Sequence, residues 1–414
     1  MSSEQQKKIV RNKKNSKTIL IIGNGFDLHF KLHTGYKDFY NFLKQANSAN
    51  DKVDFHKKYV ESIENSFDSV LFDNAYNMFE IKYKNNFFVK FFLEYINNDL
   101  MWFDVENKIE EITNCFDSFF ENHDSISSKQ GEYIQFYVDL NKEVDRKQRL
   151  FCEKLLKIGE NDLYSVSKNF INFHYKDAID SSDENIELSD KYKNDFPDFL
   201  YDSLIKFEEL FAEFLNDMLP FSIKKDDDFF FDESDYLKKE KIDVIITYNY
   251  TKYVKYQFKD SILKYMHGKL EQTDDNHLIK ENIIFGIDIN QGTNYKNEKY
   301  NYFKKDYRRD AYNTDYSRIM DDLKGVSRVI VYGHSMNRVD YDSLKIILNT
   351  CYKEYKGMIN GDNNAHSKFE LCIFYHKDKS KNNLNNAIRN ILEKNIFDEI
   401  KFNDGLKFFR DCKK

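Results

Sequence analysis

Six short apolar runs in this chain each lead into a glycine, an asparagine or a histidine, and that repeated junction limits the folds open to it. They are Ile19–Ile22 before Gly23-Asn24-Gly25, Val244–Ile246 before Thr247-Tyr248-Asn249, and Ile262–Met266 before His267-Gly268. Ile283–Phe285 then leads to Gly286, Val329–Tyr332 to Gly333-His334-Ser335, and Leu371–Tyr375 to His376. Runs this short, several rich in Ile and Val, read as strands buried on both faces of a parallel sheet. An open α/β sheet carries its ligand crevice beyond the carboxyl ends of its strands. The polar and flexible residues therefore gather where a ligand would sit, which points to an enzyme or a nucleotide binder.

Glycine usage locates a second region. Between Tyr36 and His267 only Gly131 and Gly159 occur, and the two prolines are Pro197 and Pro220. A stretch so poor in breakers reads as helical. Val105, Ile109, Ile112, Phe116 and Phe119 make one apolar stripe at spacings of four and three, and Leu200, Leu204, Phe207, Phe211, Phe214 and Met218 make another. Pro220 is expected to stop the second of these helices. A third long helix is expected over Glu132–Ile158, and surface loops over Ser181–Asp195 and Gly357–Lys368. The resulting scheme is an α/β, Rossmann-like, mostly parallel sheet built from residues 18–45 and 241–414, with a large helical insertion over 46–240. At 414 residues two packed regions are expected in any case.

Bulk properties exclude several classes. A formal net charge of −7 argues against a dedicated nucleic-acid binder. The basic stretch at 1–17, with Lys7, Lys8, Arg11, Lys13, Lys14 and Lys17, reads as a solvated, disordered tail. No secretory core follows it, and no run reaches the ~18 apolar residues of a membrane helix. Cys115, Cys152, Cys351, Cys372 and Cys412 are an odd number without a C-x-x-C pair, so a reducing, cytoplasmic compartment is expected. The chain has no H-E-x-x-H and no P-loop, which leaves little support for a metal hydrolase or a Walker-type NTPase. No metal and no prosthetic group are expected.

The junctions suggest chemistry. Gly23-Asn24-Gly25-Phe26-Asp27 follows a strand and precedes a helix, where glycines let backbone approach a phosphate and exposed N–H groups favour an anion. Leu28 stands where the dinucleotide fingerprint has its third glycine, so ordinary dehydrogenase geometry is not expected. Asp27 either caps the helix or contacts a ribose hydroxyl; spacing favours the cap. Asn249 can hold a ribose hydroxyl or a water, or can simply close a turn. His267 can exchange a proton near neutral pH, or serve the core. Gly333-His334-Ser335 repeats the strand-to-glycine turn, with Asp340 opening another helix. Trp102 and Glu106 lie one helical turn apart; Trp102 reads as a packing anchor and Glu106 as a side chain able to reach the crevice.

Taken in order, these segments resemble the AbiH family of bacterial abortive-infection proteins, which look like divergent sirtuin-like NAD-binding domains. The resemblance is carried by Ile19–Leu28, Thr34-Gly35-Tyr36-Lys37-Asp38-Phe39, Trp102-x-Asp104-x-Glu106, Thr247–Thr251, His267-Gly268, and Gly333–Asn337 with Asp340. It implies an antiphage NAD+ hydrolase that cleaves the nicotinamide–ribose bond, with Asn249 and His267 as its catalytic pair. It also implies that Gly23–Asp27 faces the pyrophosphate and Gly333–Ser335 the adenosine side. Thr251 departs from the Asp that many sirtuin-like relatives carry there, and the missing four-cysteine zinc module argues against a deacetylase. The expected partners are NAD+ or a related nucleotide, a phage protein trigger or partner subunit, and further copies of the chain. The alternative is a non-hydrolytic nucleotide sensor whose helical insertion docks a protein.

Overall fold

The computed structural model describes residues 16–62, 73–84, 86–95, 102–122, 125–129, 133–137, 185–187, 190–222, 236–272, 278–281, 283–286, 295–311, 316–360 and 368–410. The basic tail lies outside these residues except at its end, where Lys17 already opens the first strand. The chain divides into two units, one from residues 1–34, 222–284 and 309–414, the other from 35–221 and 285–308. The segments 35–45 and 285–308 thus belong with the helices, not with the sheet.

The first unit is an open six-stranded sheet. Its strands are β1 (Lys17–Ile22), β2 (Val244–Thr247), β3 (Ile262–Tyr265), β4 (Val326–Tyr332), β5 (Glu370–Tyr375) and β6 (Leu406–Arg410). The spatial order is β6-β5-β4-β1-β2-β3, and every pairing is parallel. That is the doubly wound, Rossmann-like order, which reverses direction between β1 and β4.

Alternation within the strands feeds two cores. Ile19, Ile21, Val244, Ile246, Val329, Val331, Leu371 and Ile373 face one side and pack with helix residues such as Leu344, Ile347 and Ile388. Leu20, Ile22, Ile245, Ile330 and Cys372 face the other, against Phe26, Leu237 and Val254. With both faces covered, each buried Ile or Val stabilises the unit by roughly 1.5–3 kcal/mol. β3 is an edge strand, and its Ile262 is 47% exposed.

Three expectations are corrected here. Ile283–Phe285 is fully buried but joins no strand ladder among the described residues; Ile284 N–H donates to His267 O at 2.9 Å instead. The sixth strand is instead β6, at the sheet edge, where Lys407 interrupts the apolar run and Arg410 ends it. Within Glu132–Ile158, Tyr133–Tyr137 forms a strand paired antiparallel with Ser125–Lys129, and residues 138–158 lie outside the described residues. Aromatic and β-branched residues in that segment favour a strand over a helix. Likewise Asn185–Glu187, expected as loop, pairs with Ser125–Ser127.

The second unit is built largely from helices with an aromatic core. Helix Asp190–Ser222 passes through Pro197 and runs two residues beyond Pro220, so that proline does not end it. Its apolar stripe packs on helix Tyr36–Ser48: Phe39 meets Phe207, Phe211 and Phe214 with ring centroids 5.0–5.5 Å apart. Asn86 caps helix Phe87–Tyr95, accepting from Phe88 N–H at 2.9 Å and Val89 N–H at 3.2 Å. Its side-chain amide donates to Ser203 O, which ties that cap to the long helix.

Segment 285–308 is fixed to the long helix by charge. Arg308 meets Glu208 through two bonds of 2.5 and 2.8 Å, and both side chains are essentially unexposed. Glu208 also accepts from Phe285 N–H, and Arg308 donates to Phe285 O, each at 2.7 Å. Among the described residues no helix is long and apolar enough to cross a membrane.

Candidate site at the carboxyl edge of the sheet

The loops after β1 and β4 meet where the strand order reverses. Gly25 N–H donates to Gly333 O at 2.8 Å and Gly23 N–H to Tyr332 O at 3.3 Å. Gly333 has φ +64°, and a Cβ there would lie 2.4 Å from Phe26 N. A Cβ on Gly25 would lie 2.7 Å from Gly333 Cα. The glycines thus let two turns press backbone to backbone. Phe26 N–H donates to Gly23 O, so the amides of Gly23, Gly25 and Phe26 are all engaged within the protein. A phosphate at this turn would draw on other donors.

Asp27 does not cap its helix. It is buried and serves as a hub. It accepts from the Asn249 side-chain amide at 3.1 Å and from the Thr34 and Thr251 hydroxyls at 3.0 and 3.1 Å. All three partners are neutral, and burial outweighs them, raising the carboxyl from 3.8 to about 7.

The folded protein therefore binds this proton more tightly than the unfolded chain does. The stability it contributes is complete below 3.8 and is lost as pH rises to about 7. At 1.36 kcal/mol per pH unit the effect is no more than about 4 kcal/mol. Urea unfolding of wild type and Asp27→Asn should show the wild-type advantage shrinking between pH 4 and 8. A gap that stays constant with pH would contradict a proton held on Asp27.

Asn249 is 4% exposed. Its amide nitrogen donates to Asp27 and to Gly23 O at 3.1 Å, and its N–H donates to Thr247 Oγ1 at 3.0 Å. It fastens the loop after β2 to the glycine turn after β1.

A second polar cluster lies beside the first. His267 is fully buried, and its Nε2 is 3.0 Å from Asp340 Oδ1. This contact joins the loop after β3 to the loop after β4, across the ends of β2 and β1. The other Asp340 oxygen faces His334 Nε2 at 3.6 Å. Tyr248 stands between the imidazoles, its ring centroid 5.1 Å from His267 and 4.3 Å from His334, edge-on to both. The Tyr248 hydroxyl pairs with Ser343 Oγ at 3.0 Å, and Ser343 in turn donates to Asp340 O. Met336 N–H donates to His334 Nδ1 at 2.9 Å. Met336 adopts φ +52°, an uncommon left-handed conformation for a side-chain-bearing residue. Ser335 is exposed and accepts from Asn337.

The structure thus gathers Gly23, Asn24, Gly25, Phe26, Asp27, Asn249, Gly333, His334, Ser335, His267 and Asp340 along one sheet edge. Glu106 belongs to the helical unit, where its carboxylate pairs with buried Lys305 at 2.7 Å. Trp102 begins helix Trp102–Asn122, and its side chain lies outside the described residues. Thr34, Tyr248 and Ser343 complete the site but were not singled out as candidates. Thr34 had a signal, since Thr34-Gly35 follows the glycine turn closely. Tyr248 and Ser343 had none beyond proximity to Asn249 and Asp340.

An open parallel sheet of this order, with polar side chains packed around the turns at its reversal, defines a Rossmann-like α/β protein with a buried polar site. The family model described as "Bacteriophage abortive infection AbiH" matches residues 19–360, and the chain belongs to that family. Membership gives it a role in abortive infection by bacteriophage. No curated protein and no solved structure matches it significantly.

Proposed function

We propose that this AbiH protein is a defence enzyme that hydrolyses NAD+ at the nicotinamide–ribose bond, on a sirtuin-like plan. The observation that carries the reading is the Asp340-bound His267 at the carboxyl edge of a sheet whose strand order reverses nearby. The chemistry asks little of the protein. Nicotinamide leaves as a neutral base, because the electron pair of the breaking C–N bond cancels the pyridinium charge. Only the entering water then needs a base: its oxygen bonds to the ribose carbon and its proton passes to the His267 imidazole. Asn249 holds the glycine turn and Asp27, and thereby the floor against which the ribose rests.

His267→Ala is expected to lower nicotinamide release by on the order of 10²–10⁴-fold, the usual range for a lost proton acceptor. The measurement is cellular NAD+ and free nicotinamide during phage challenge, comparing wild type with the variant. Equal NAD+ loss in both would reject the assignment of His267.

A non-hydrolytic nucleotide sensor, with the helical unit docking a protein partner, is favoured by two observations. His267 is fully buried, and both protons of the Asn249 side-chain amide are committed within the protein. Calorimetric binding of NAD+ or ADP-ribose, without nicotinamide release in phage-challenged cells, would select the sensor.

A further inference from the structure

Two imidazoles face one carboxylate at the edge of the sheet, and their surroundings make them unequal. His334 receives the Met336 N–H on Nδ1, so that nitrogen carries its lone pair and the ring's proton resides on Nε2. A charged His334 would place a second proton on Nδ1, against the Met336 N–H. Its Nε2 lies 3.6 Å from Asp340 Oδ2, beyond direct hydrogen-bond range. His267, by contrast, meets Asp340 Oδ1 at 3.0 Å through Nε2. The ionisable groups set against His267 include Asp340, Tyr248 and Tyr250, and those against His334 include Asp340 and Tyr248.

We infer that Asp340 is the positioning residue of this site. It fixes the His267 ring with a proton on Nε2, while His334 is locked as a neutral spectator by the backbone of its own turn. Nothing in this arrangement requires Asp340 to touch a ribose. The inference deepens the hydrolase reading and rests on it only for its kinetic consequence. A carboxylate on one imidazole nitrogen holds the tautomer and stabilises the imidazolium that forms when the other nitrogen takes a proton. The Ser343 hydroxyl and the Tyr248 phenol, chained to Asp340 O at 3.0 Å each, hold the turn that presents the carboxylate.

The test is nitrogen NMR of the full chain with labelled histidine, the two resonances assigned through His267→Gln and His334→Gln. In wild type at neutral pH, His267 should carry its proton on Nε2, and His334 should show a bare Nδ1 with its proton on Nε2. In Asp340→Asn the His267 pKa should fall by about 1 or more, as expected when an adjacent opposite charge is removed. Asp340→Glu should restore most of that loss. The pH–rate profile for nicotinamide release should move with the NMR value. A wild-type His267 protonated on Nδ1 would overturn the inference without any variant, and so would a pKa unchanged in Asp340→Asn. The expected NMR result together with absent NAD+ cleavage would leave the positioning role standing and remove the hydrolase.

Discussion

Alanine at Gly333 is expected to destabilise the sheet unit by about 3–5 kcal/mol, from left-handed strain and overpacking combined. The residue sits at φ +64°, and its new Cβ would meet Phe26 N at 2.4 Å and Gly25 C at 2.6 Å. Both are backbone atoms of the opposing turn, so no side chain can swing aside. The loss should be visible in urea unfolding and should loosen the contact that places Asp27. Gly357 provides the matched control. It lies within helix Tyr341–Asn360, and an added Cβ there would meet nothing within 4 Å. Gly357→Ala should stabilise by about 0.5–1 kcal/mol through helix propensity alone. Equal effects at the two sites would refute the packing argument.

Removing Arg308 is expected to cost about 3–5 kcal/mol in the helical unit. The substitution strands the Glu208 carboxylate in a fully buried site and strips Phe285 O of its donor. The ion pair as such need not be strongly stabilising, because desolvation offsets attraction. Replacing both Glu208 and Arg308 by Leu should therefore cost less than Arg308→Ala alone. It should still cost something, since the Phe285 N–H and carbonyl lose their partners. An Arg308→Ala protein within 1 kcal/mol of wild type would show the charge finding water or another partner.

The sheet was largely legible because strands buried on both faces carry contiguous apolar runs, and five of the six runs are strands; the edge strand β3 was legible despite Lys264. Ile283–Phe285 misled for the same reason: burial alone looks identical in a strand and in an extended buried segment. β6 is absent from the apolar runs because Lys407 and Arg410 leave only Phe408-Phe409 contiguous. Helical stripes were readable at Val105–Phe116 and Leu200–Met218, where spacing of three and four repeats over several turns. The strand at Tyr133–Tyr137 was hidden by a window of charge and aromatics that fits either period. Pro220 does not end its helix, because its fixed φ is compatible with helical backbone and only two residues follow it.

At the site, the strand-end positions of Asn249, His267 and Asp340 were readable, but their partners were not. Spacing along the chain cannot say that the Asp27 carboxylate gathers Thr34, Thr251 and Asn249, or that Asp340 turns toward imidazoles. Those pairings come from strand order. Likewise, Gly23, Gly25 and Gly333 looked like phosphate glycines when each was read with its own strand. Only the adjacency of β1 and β4 reveals that they accommodate one another.

The central strand has one consequence for how the protein is made. Ile19 pairs with Val244 on one side and Val329 on the other, partners translated 225 and 310 positions later. A ribosome therefore releases Ile19–Ile22 long before either flank exists, and the apolar segment must wait while the intervening chain emerges. Such distant pairing slows folding and invites chaperone capture or misassembly on the nascent chain.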